Sequence, residues 1–243
     1  MSFHLTLLSR KPNLAFVQPT SFGEVSPMKL QASCLLRFVV AVIAFSGLSL
    51  AQELTPVQLP PPQTDGGRPL MQVLKDRKST RDFSPDKLSA QTLSNLLWAA
   101  FGINRPDGHR TAPSAMNRQE VSIYVATPDG VYIYDAKGNA LTPVVAGDFR
   151  AATGVQPFVK DAAVNLVYVS DLSKTGRAPA AEAERWTAAD VGFIAENVYL
   201  YCASEGLATV VRASIDKPAL AKTLKLLPQQ QIILSQSVGY PKK

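Results

Sequence analysis

The sequence predicts an α+β fold, and three observations support this prediction. Segments with helical apolar spacing and segments with strand-like alternation both occur, but not in the regular βαβ order of a parallel sheet. Two strand-like runs flank a short turn at residues 128–130, as in a hairpin. Finally, 46% hydrophobic and 18% charged residues over 243 positions are typical of a globular protein with a sizeable core.

Two helices are predicted in the first half of the globular part. Apolar residues at helical spacing predict a short helix that begins near Leu70 and leads to Arg77. The second helix covers residues 89–101, because Ser89 is a favourable N-cap and Gly102 is a favourable stop.

The longest helix is predicted over residues 187–205. Thr187 and Asp190 resemble a capping box at its start, and Gly206 ends it. The apolar face of this helix is unusually broad for a surface helix, so we expect both sides to be covered, one of them by a second subunit. The residues of this face are Val191, Ile194, Ala195, Val198, Tyr201 and Cys202, widened by Phe193, Tyr199 and Leu200.

The remaining elements are predicted from alternation, turn residues and apolar runs. In chain order they are a polar loop over 104–118, two strands separated by the 128–130 turn, a further turn at 137–139, a buried strand over 162–169, a short helix over 216–227 and a strand over 232–240.

The N-terminal region has the pattern of a secretory signal peptide. Residues 28–51 contain a basic start, an apolar run and a small-x-small motif that ends at Ala51. This pattern predicts cleavage after Ala51 and export to the periplasm or the medium, and an uncleaved N-terminal membrane anchor is the alternative. Residues 1–27 are either a leader or lie upstream of a true start at Met28.

After the predicted signal, a short tether leads to one weakly basic domain. Residues 52–67 are rich in Pro and Gly and predict an extended tether to a domain over residues 68–243. The whole chain has 25 basic and 19 acidic residues and a net charge of +6; residues 1–51 hold four of the basic residues and one acid, which leaves +3. The basic residues are scattered, which indicates no nucleic-acid surface.

The mature chain contains one cysteine, Cys202, and one histidine, His109. It therefore cannot form an intrachain disulfide or a metal site with several His or Cys ligands. A Ser-His-Asp triad would have to use His109, which lies in a turn-rich loop typical of a solvated residue. Most familiar hydrolytic chemistry is excluded.

The stretch RKSTRDF, residues 77–83, concentrates groups that bind anions. Arg77, Lys78 and Arg81 supply three cations around the hydroxyl of Ser79. Guanidinium groups bind phosphate oxygens in pairs, and hydroxyl and backbone N–H groups satisfy the remaining lone pairs. The stretch predicts either an anion site or a solvated helix end whose cations face the helix dipole.

Two further stretches have features of a ligand site. In RTAPSAMNRQEV, residues 113–115 form a rigid turn of small residues, and the amides of Asn117 and Gln119 suit the edge of a planar heterocycle. Ordinary turn chemistry before a strand is the alternative. In EGLATVVRASID, residues 205–216, small residues after a helix allow the backbone to approach a ligand closely, and a buried connecting strand is the alternative.

These stretches occur in the order of the motifs of a known family. RKSTRDF, PSAMNRQEV, the helix DVGFIAENVYLYCASEGLAT and SVGYP together resemble the nitroreductase family of flavoproteins over residues 68–241. The closest resemblance is to the branch that contains dehydrogenases of azoline-containing peptides. It implies a nitroreductase-like fold with a central, mostly antiparallel sheet flanked by helices. It also implies a homodimer with FMN at the subunit interface.

The resemblance also assigns roles to individual residues. The residues implied to hold the phosphate and ribityl chain of FMN are Arg77, Lys78, Ser79 and Arg81. The residues implied to reach FMN from the partner subunit are Pro113, Ser114, Ala115 and Asn117. Backbone at Ala213 and Ser214 is implied to lie beside the reactive edge of the flavin. A further basic phosphate contact would fall to Lys242 or Lys243, weakened or lost because the chain ends there.

The resemblance implies hydride transfer to flavin N5 and from it to an acceptor, with no catalytic acid or base required. Arg212, beside the reactive edge, either modulates a reduced flavin or an anionic substrate, or points into solvent. The expected protein is an exported FMN-dependent oxidoreductase acting on a small nitroaromatic, quinone or similar acceptor. NAD(P)H is scarce outside the cytoplasm, so a quinol or redox protein is an alternative reductant, and oxygen an alternative acceptor. A non-catalytic module that binds flavin or another small ligand is the competing function.

Overall fold

The structure is a computed structural model that describes residues 54–243. The predicted leader, the signal peptide and the first residues of the tether lie outside the described residues. The strands are β1 Val57–Gln58, β2 Val121–Ala126, β3 Gly130–Asp135, β4 Ala140–Ala146, β5 Val164–Asp171, β6 Ala208–Arg212 and β7 Gln230–Gly239. The helices are α1 Leu70–Asp76, α2 Ala90–Phe101, α3 Ala180–Glu205 and α4 Lys217–Thr223.

All seven strands form one sheet in the order β1-β4-β3-β2-β5-β7-β6, and every neighbouring pair is antiparallel. The predicted α+β fold with an antiparallel sheet is therefore confirmed. β2 and β3 form the predicted hairpin, with Ala126 opposite Val131 across the turn. β6 is the last strand of the sheet, so one of its edges has no strand partner.

Helices cover both faces of the sheet. α2 and α3 pack on one face, and α4 packs on the other. The alternation of β2 sorts its side chains between the two sides, so that Ile123 and Val125 join the α3 side while Tyr124 and Ala126 join the α4 side. Each large apolar side chain buried in this way contributes about 1.5–3 kcal/mol. In the part of the chain that the structure describes, no helix is long and apolar enough to cross a membrane.

The predictions for α2 and α4 hold with small shifts. α2 begins as predicted, because the Ser89 Oγ accepts a hydrogen bond from the Thr92 N–H at 3.0 Å. α4 is shorter than predicted and ends at Thr223. Two residues later, Lys225 has a φ of 54°, a left-handed conformation that cannot continue the helix.

The predicted start of α3 is wrong. The helix begins at Ala180, directly after Pro179 and seven residues before Thr187. Thr187 and Asp190 are only 1% and 3% exposed, so their side chains face the core and do not cap a helix end. The predicted end is confirmed, because Gly206 adopts a φ of 72°, which glycine tolerates well.

The Pro-rich segment before α1 is extended, as expected of a tether, but its described part is bound to the domain. Leu59 is only 3% exposed and packs in the main core. The Pro60 carbonyl accepts hydrogen bonds from Ser94 Oγ at 2.6 Å and from Asn139 Nδ2 at 2.8 Å. Apolar burial of Leu59 and these bonds hold the described part of the predicted tether against the domain.

Candidate functional site

Residues 77–83 run along the free edge of β6. The Thr80 N–H donates to the Thr209 carbonyl at 2.9 Å, which satisfies an edge group of the sheet. At the far end of the stretch, the Lys242 N–H donates to the Asp82 carbonyl at 3.2 Å. The stretch thus joins the edge strand to the C-terminal residues, and basic residues from both ends of the domain meet here.

Tyr199 of α3 fixes the middle of this stretch. Its hydroxyl is hydrogen-bonded to Ser79 Oγ at 2.8 Å and accepts a hydrogen bond from the Val211 N–H at 3.0 Å. The guanidinium of Arg77 lies 5.2 Å from the centre of the Tyr199 ring, a cation–π contact. Within residues 54–243, neither Arg77 nor Arg81 forms an ion pair.

A cleft of about 480 Å³ opens between this stretch, the end of α3 and the C terminus. Lys78 and Lys242 both line it, and neither forms an ion pair within the described residues. Of the two acids in the cleft, Asp76 is paired with Arg68, which leaves Asp82. Two ammonium groups at one cleft suit a phosphate. Lys242 lines the cleft although the chain ends one residue later.

Exposed backbone follows this basic region along the same edge. Ala213 and Ser214 come directly after β6 and are both exposed. The Ser214 carbonyl accepts a hydrogen bond from the Val155 N–H at 3.2 Å, which holds the segment against a neighbouring loop. At about 3.3 Å per residue, the edge from Thr209 to Ser214 is about 16 Å long. The basic cleft and an exposed segment of small residues thus lie along the same edge of the sheet.

Arg212 does not point into solvent. It is 5% exposed and lies in the core between β6 and the loop after β4. Its Nη1 donates to the Thr153 carbonyl at 2.9 Å, and its Nη2 donates to Asn165 Oδ1 at 3.0 Å, while Nε is buried without a partner. Its role as a modulator stays a prediction, but its observed hydrogen bonds attach a loop to the strand that precedes Ala213.

The 113–117 turn is held by its own hydrogen bonds and by α3. Ser114 Oγ accepts a hydrogen bond from the Gln119 N–H at 3.0 Å, and Asn117 Oδ1 accepts one from Gln119 Nε2 at 2.9 Å. The Ala115 N–H donates to Asp190 Oδ2 on α3 at 2.9 Å. The two amides thus bind each other, and Pro113 is exposed beside them.

Within one chain, residues 113–117 do not line the basic cleft. The turn is bound to Asp190 and the cleft to Tyr199, nine residues further along α3. At 1.5 Å per residue, the two attachment points lie about 13 Å apart along the helix. Of the residues predicted to form one site, Lys78 and Lys242 line one cleft, and Arg77 and Ser79 contact Tyr199, which lines it too. Arg81 lies in the same stretch, whereas residues 113–117 do not line the cleft.

The only histidine within residues 54–243 lies in an exposed loop, and the only cysteine lies in the core. His109 lies in the predicted loop, with its Nδ1 2.8 Å from the carboxylate of Asp107 and its side chain 41% exposed. Burial raises the pKa of the Cys202 thiol, so the reactive thiolate is disfavoured. Within residues 54–243, no group of three or more His, Cys, Asp or Glu is placed to hold a metal ion.

Sequence reasoning missed three residues that organise the site: Tyr199, Glu120 and Asp190. Tyr199 was assigned to a broad apolar face, although its hydroxyl must find a partner when it is buried. Glu120 directly precedes an apolar strand, and Asp190 lies on the apolar side of a helix. Acids are rarely found at core-facing positions, so their presence there was the signal that Glu120 and Asp190 have a specific role.

Proteins of known structure share this fold. A crystal structure of a nitroreductase-type protein from Ralstonia eutropha JMP134 is 41% identical, has a TM-score of 0.75, and covers 78% of this chain and 91% of its own. The NADPH:FMN oxidoreductase of Vibrio harveyi resembles it in fold alone, with 20% identity, a TM-score of 0.55, and coverage of 72% and 69%. A nitroreductase-type protein of Methanocaldococcus jannaschii is 29% identical over 167 residues, 65% of this chain and 84% of the relative. The fold and its relatives place the protein among the oxidoreductases.

The chain belongs to the nitroreductase family, whose model matches residues 74–240. The match covers the sheet from β2 to β7, the basic stretch and α3. The predicted family is therefore confirmed, whereas the narrower branch of azoline-peptide dehydrogenases stays a prediction.

Proposed function

We propose that the protein is an FMN-dependent oxidoreductase that passes hydride or electron pairs to a small nitroaromatic, quinone or similar acceptor. The observation that carries this proposal is the set of groups that meet at the edge of β6. Lys78 and Lys242 line one cleft, the Ser79 hydroxyl is bonded to Tyr199 of the same cleft, and Ala213 and Ser214 after β6 are exposed. A phosphate, a polyol chain and a flat heterocycle need cationic, hydroxyl and open backbone partners of this kind.

Different residues of the chain would bind different parts of the cofactor. Lys78 and Lys242 would bind the phosphate, supported by Arg77 and Arg81 of the same stretch. Ser79 would bind the ribityl chain. Bound flavin supplies hydride transfer at N5, so no acid or base of the chain is needed. Membership of an oxidoreductase family, and FMN in the name of the Vibrio harveyi fold relative, support this choice.

A homodimer is part of the proposal, because one chain holds the 113–117 turn away from its own basic cleft. Large apolar side chains are also exposed on two neighbouring helices. Leu70 and Leu74 of α1 are 61% and 46% exposed, and Phe193 of α3 is 47% exposed. Burial of these side chains against a second copy would remove apolar surface from water and bring each turn to the other chain.

Export is also proposed, on the signal-like pattern of residues 28–51. Outside the cytoplasm a quinol or a redox protein would replace NAD(P)H as the reductant. The acceptor is proposed only as a class.

The direct test is the spectrum of the purified protein. We expect a yellow protein, or one that turns yellow on titration with FMN, that dithionite bleaches and that a nitroarene or a quinone reoxidises. Bleaching by NADH compared with a reduced quinone then identifies the donor class. A colourless protein that FMN cannot reconstitute would falsify the proposed function. Retained flavin without turnover on any acceptor would instead favour the non-catalytic binder.

The same titration tests the phosphate site. Removing a charge-assisted hydrogen bond costs about 1.5–3 kcal/mol, so we expect Lys78→Ala and Lys242→Ala each to weaken FMN binding about tenfold or more. Lys137→Ala is the matched control, since this exposed lysine lies in the turn between β3 and β4. Equal affinities of all three variants would place the phosphate elsewhere.

A further inference from the structure

Two carboxylic acids lie together in the core next to the 113–119 turn. Glu120, just before β2, is 2% exposed, and Asp190 of α3 is 3% exposed. Glu120 Oε1 accepts a hydrogen bond from Thr187 Oγ1 at 3.4 Å, while its Oε2 is buried with no partner. Among the described residues, neither carboxyl forms an ion pair.

The charged groups around this pair do not compensate it. Arg118 of the turn stacks on Trp186 of α3, with 4.9 Å between its guanidinium carbon and the ring centre. Asp171, at the end of β5, accepts hydrogen bonds from Ser173. The remaining partners from α3 and β5 are the neutral hydroxyls of Thr187 and Ser170. Two carboxylates buried side by side without a cation repel each other strongly, so one of them keeps a proton.

Glu120 is the member that keeps the proton. Burial, and in addition the neighbouring charge of Asp190, raise the pKa of Glu120. A proton on Oε2 would let this otherwise unpartnered buried atom donate a hydrogen bond to Asp190. Asp190 also accepts a hydrogen bond from the Ala115 N–H at 2.9 Å.

The turn that Asp190 holds is strained. Met116, Asn117 and Gln119 have φ values of 55°, 52° and 49°. Non-glycine residues in this left-handed region cost on the order of 1–3 kcal/mol each and persist only where the surroundings hold them. The bond from the Ala115 N–H to Asp190 is the hydrogen bond that attaches this turn to α3.

We propose that Glu120 and Asp190 form a one-proton carboxyl pair that positions the 113–119 turn for the cofactor, and that loss of this proton loosens the turn. The proposal rests on the proposed function, in which the turn reaches the FMN of the other subunit. When Glu120 loses its proton to solvent, the two carboxylates repel, and Asp190 can no longer hold both its neighbour and the Ala115 N–H. Both acids are positioning residues, since neither is exposed to a ligand.

The sign of the pH dependence follows from the raised pKa of Glu120. The folded chain keeps a proton that the unfolded chain loses near the ordinary value of 4.5. The stabilising effect is complete below that value and is lost as the pH rises through the higher folded pKa. FMN affinity should fall over the same range, by at most about tenfold per pH unit for a single proton.

The test compares the wild-type protein with Glu120→Gln, whose amide can still donate to Asp190 but cannot ionise. Glu184→Gln is the control, because Glu184 is an exposed acid on α3, the helix that carries Asp190. We would measure the midpoint of thermal unfolding without flavin, and the Kd for FMN, from about pH 5 to pH 9. Wild type and the control should lose stability and affinity with rising pH, whereas Glu120→Gln should show neither loss.

Each outcome decides a separate step. Parallel pH profiles of the unfolding midpoint for wild type and Glu120→Gln overturn the shared proton. A pH-dependent midpoint together with a constant Kd overturns the positioning role. Absence of FMN binding at every pH overturns the proposed function and the positioning for FMN, while the flavin-free profiles still decide the proton. If Glu120→Gln does not fold, Asp190→Asn, which keeps an acceptor for the Ala115 N–H, serves as the second variant.

Discussion

At the scale of single residues, one buried guanidinium shapes the chain beside the proposed flavin edge. Burial lowers the pKa of Arg212 to about 10, which leaves it charged at neutral pH. It has no carboxylate partner among the described residues, so hydrogen bonds to the Thr153 carbonyl and the Asn165 side-chain amide replace its contacts with water. Gly154 leaves the room for this arrangement, because a Cβ added there would meet Arg212 Nη1.

Gly154→Ala should therefore destabilise the protein by displacing a hydrogen-bonded charge. We expect the free energy of unfolding to fall by about 1.5–3 kcal/mol, which is what hydrogen bonds to a charged group usually contribute. Urea denaturation measures this change. A double-mutant cycle supplies the control. In an Arg212→Ala background the same glycine substitution should cost much less. Equal costs in both backgrounds would show that Arg212 is not what Gly154 accommodates.

At the scale of elements, α3 holds both parts of the proposed site. Its first half binds the 113–119 turn through Asp190, and its second half binds the basic stretch through Tyr199. The hydroxyl of Tyr199 also satisfies the Val211 N–H on the free edge of β6. The helix thus fixes the spacing between two parts of the site, and one phenol joins three segments of the chain.

Tyr199→Phe should weaken both the fold and the cofactor site. The change leaves the Val211 N–H without its partner and frees Ser79. We therefore expect the free energy of unfolding, measured by urea denaturation, to fall by about 1–3 kcal/mol, and the Kd for FMN to rise. Tyr201→Phe is the matched control on the same helix, because its hydroxyl contacts the Thr92 carbonyl at 3.4 Å and is bonded to neither Ser79 nor β6. We expect that change to cost about 0.5 kcal/mol and to leave FMN binding unchanged. Similar losses for both variants would argue against the linking role of Tyr199.

The elements that the sequence predicted well are those set by local signals. Ser89 caps α2 and Gly206 ends α3 within the same few residues that predict them. The start of α3 was mispredicted because Thr187 and Asp190 carry the residue types of a cap but make tertiary bonds. The bond between Ser79 and Tyr199 joins residues 120 positions apart, and no local pattern contains that information.

At the scale of the whole molecule, the proposed site combines the basic cleft with a turn that does not line it within one chain. The basic cleft and the 113–117 turn attach to α3 about 13 Å apart, and a helix of this length does not fold back on itself. A second copy related by a twofold axis can supply each cleft with the turn of the other chain. The exposed Phe193 lies between the two attachment points on α3, where such a copy would pack.

Phe193→Glu should therefore break the dimer and release the flavin together. A buried aromatic anchor commonly contributes 2 kcal/mol or more to binding at an interface, so we expect association about thirtyfold weaker. In light scattering the measured mass should fall from that of two chains toward that of one. Leu227→Glu is the control, since Leu227 is 55% exposed but follows α4 on the other side of the sheet. It should remain a dimer and stay yellow. If Phe193→Glu became monomeric yet kept FMN with unchanged affinity, each chain would hold a complete site, and the turn would have to act on its own subunit despite the distance along α3.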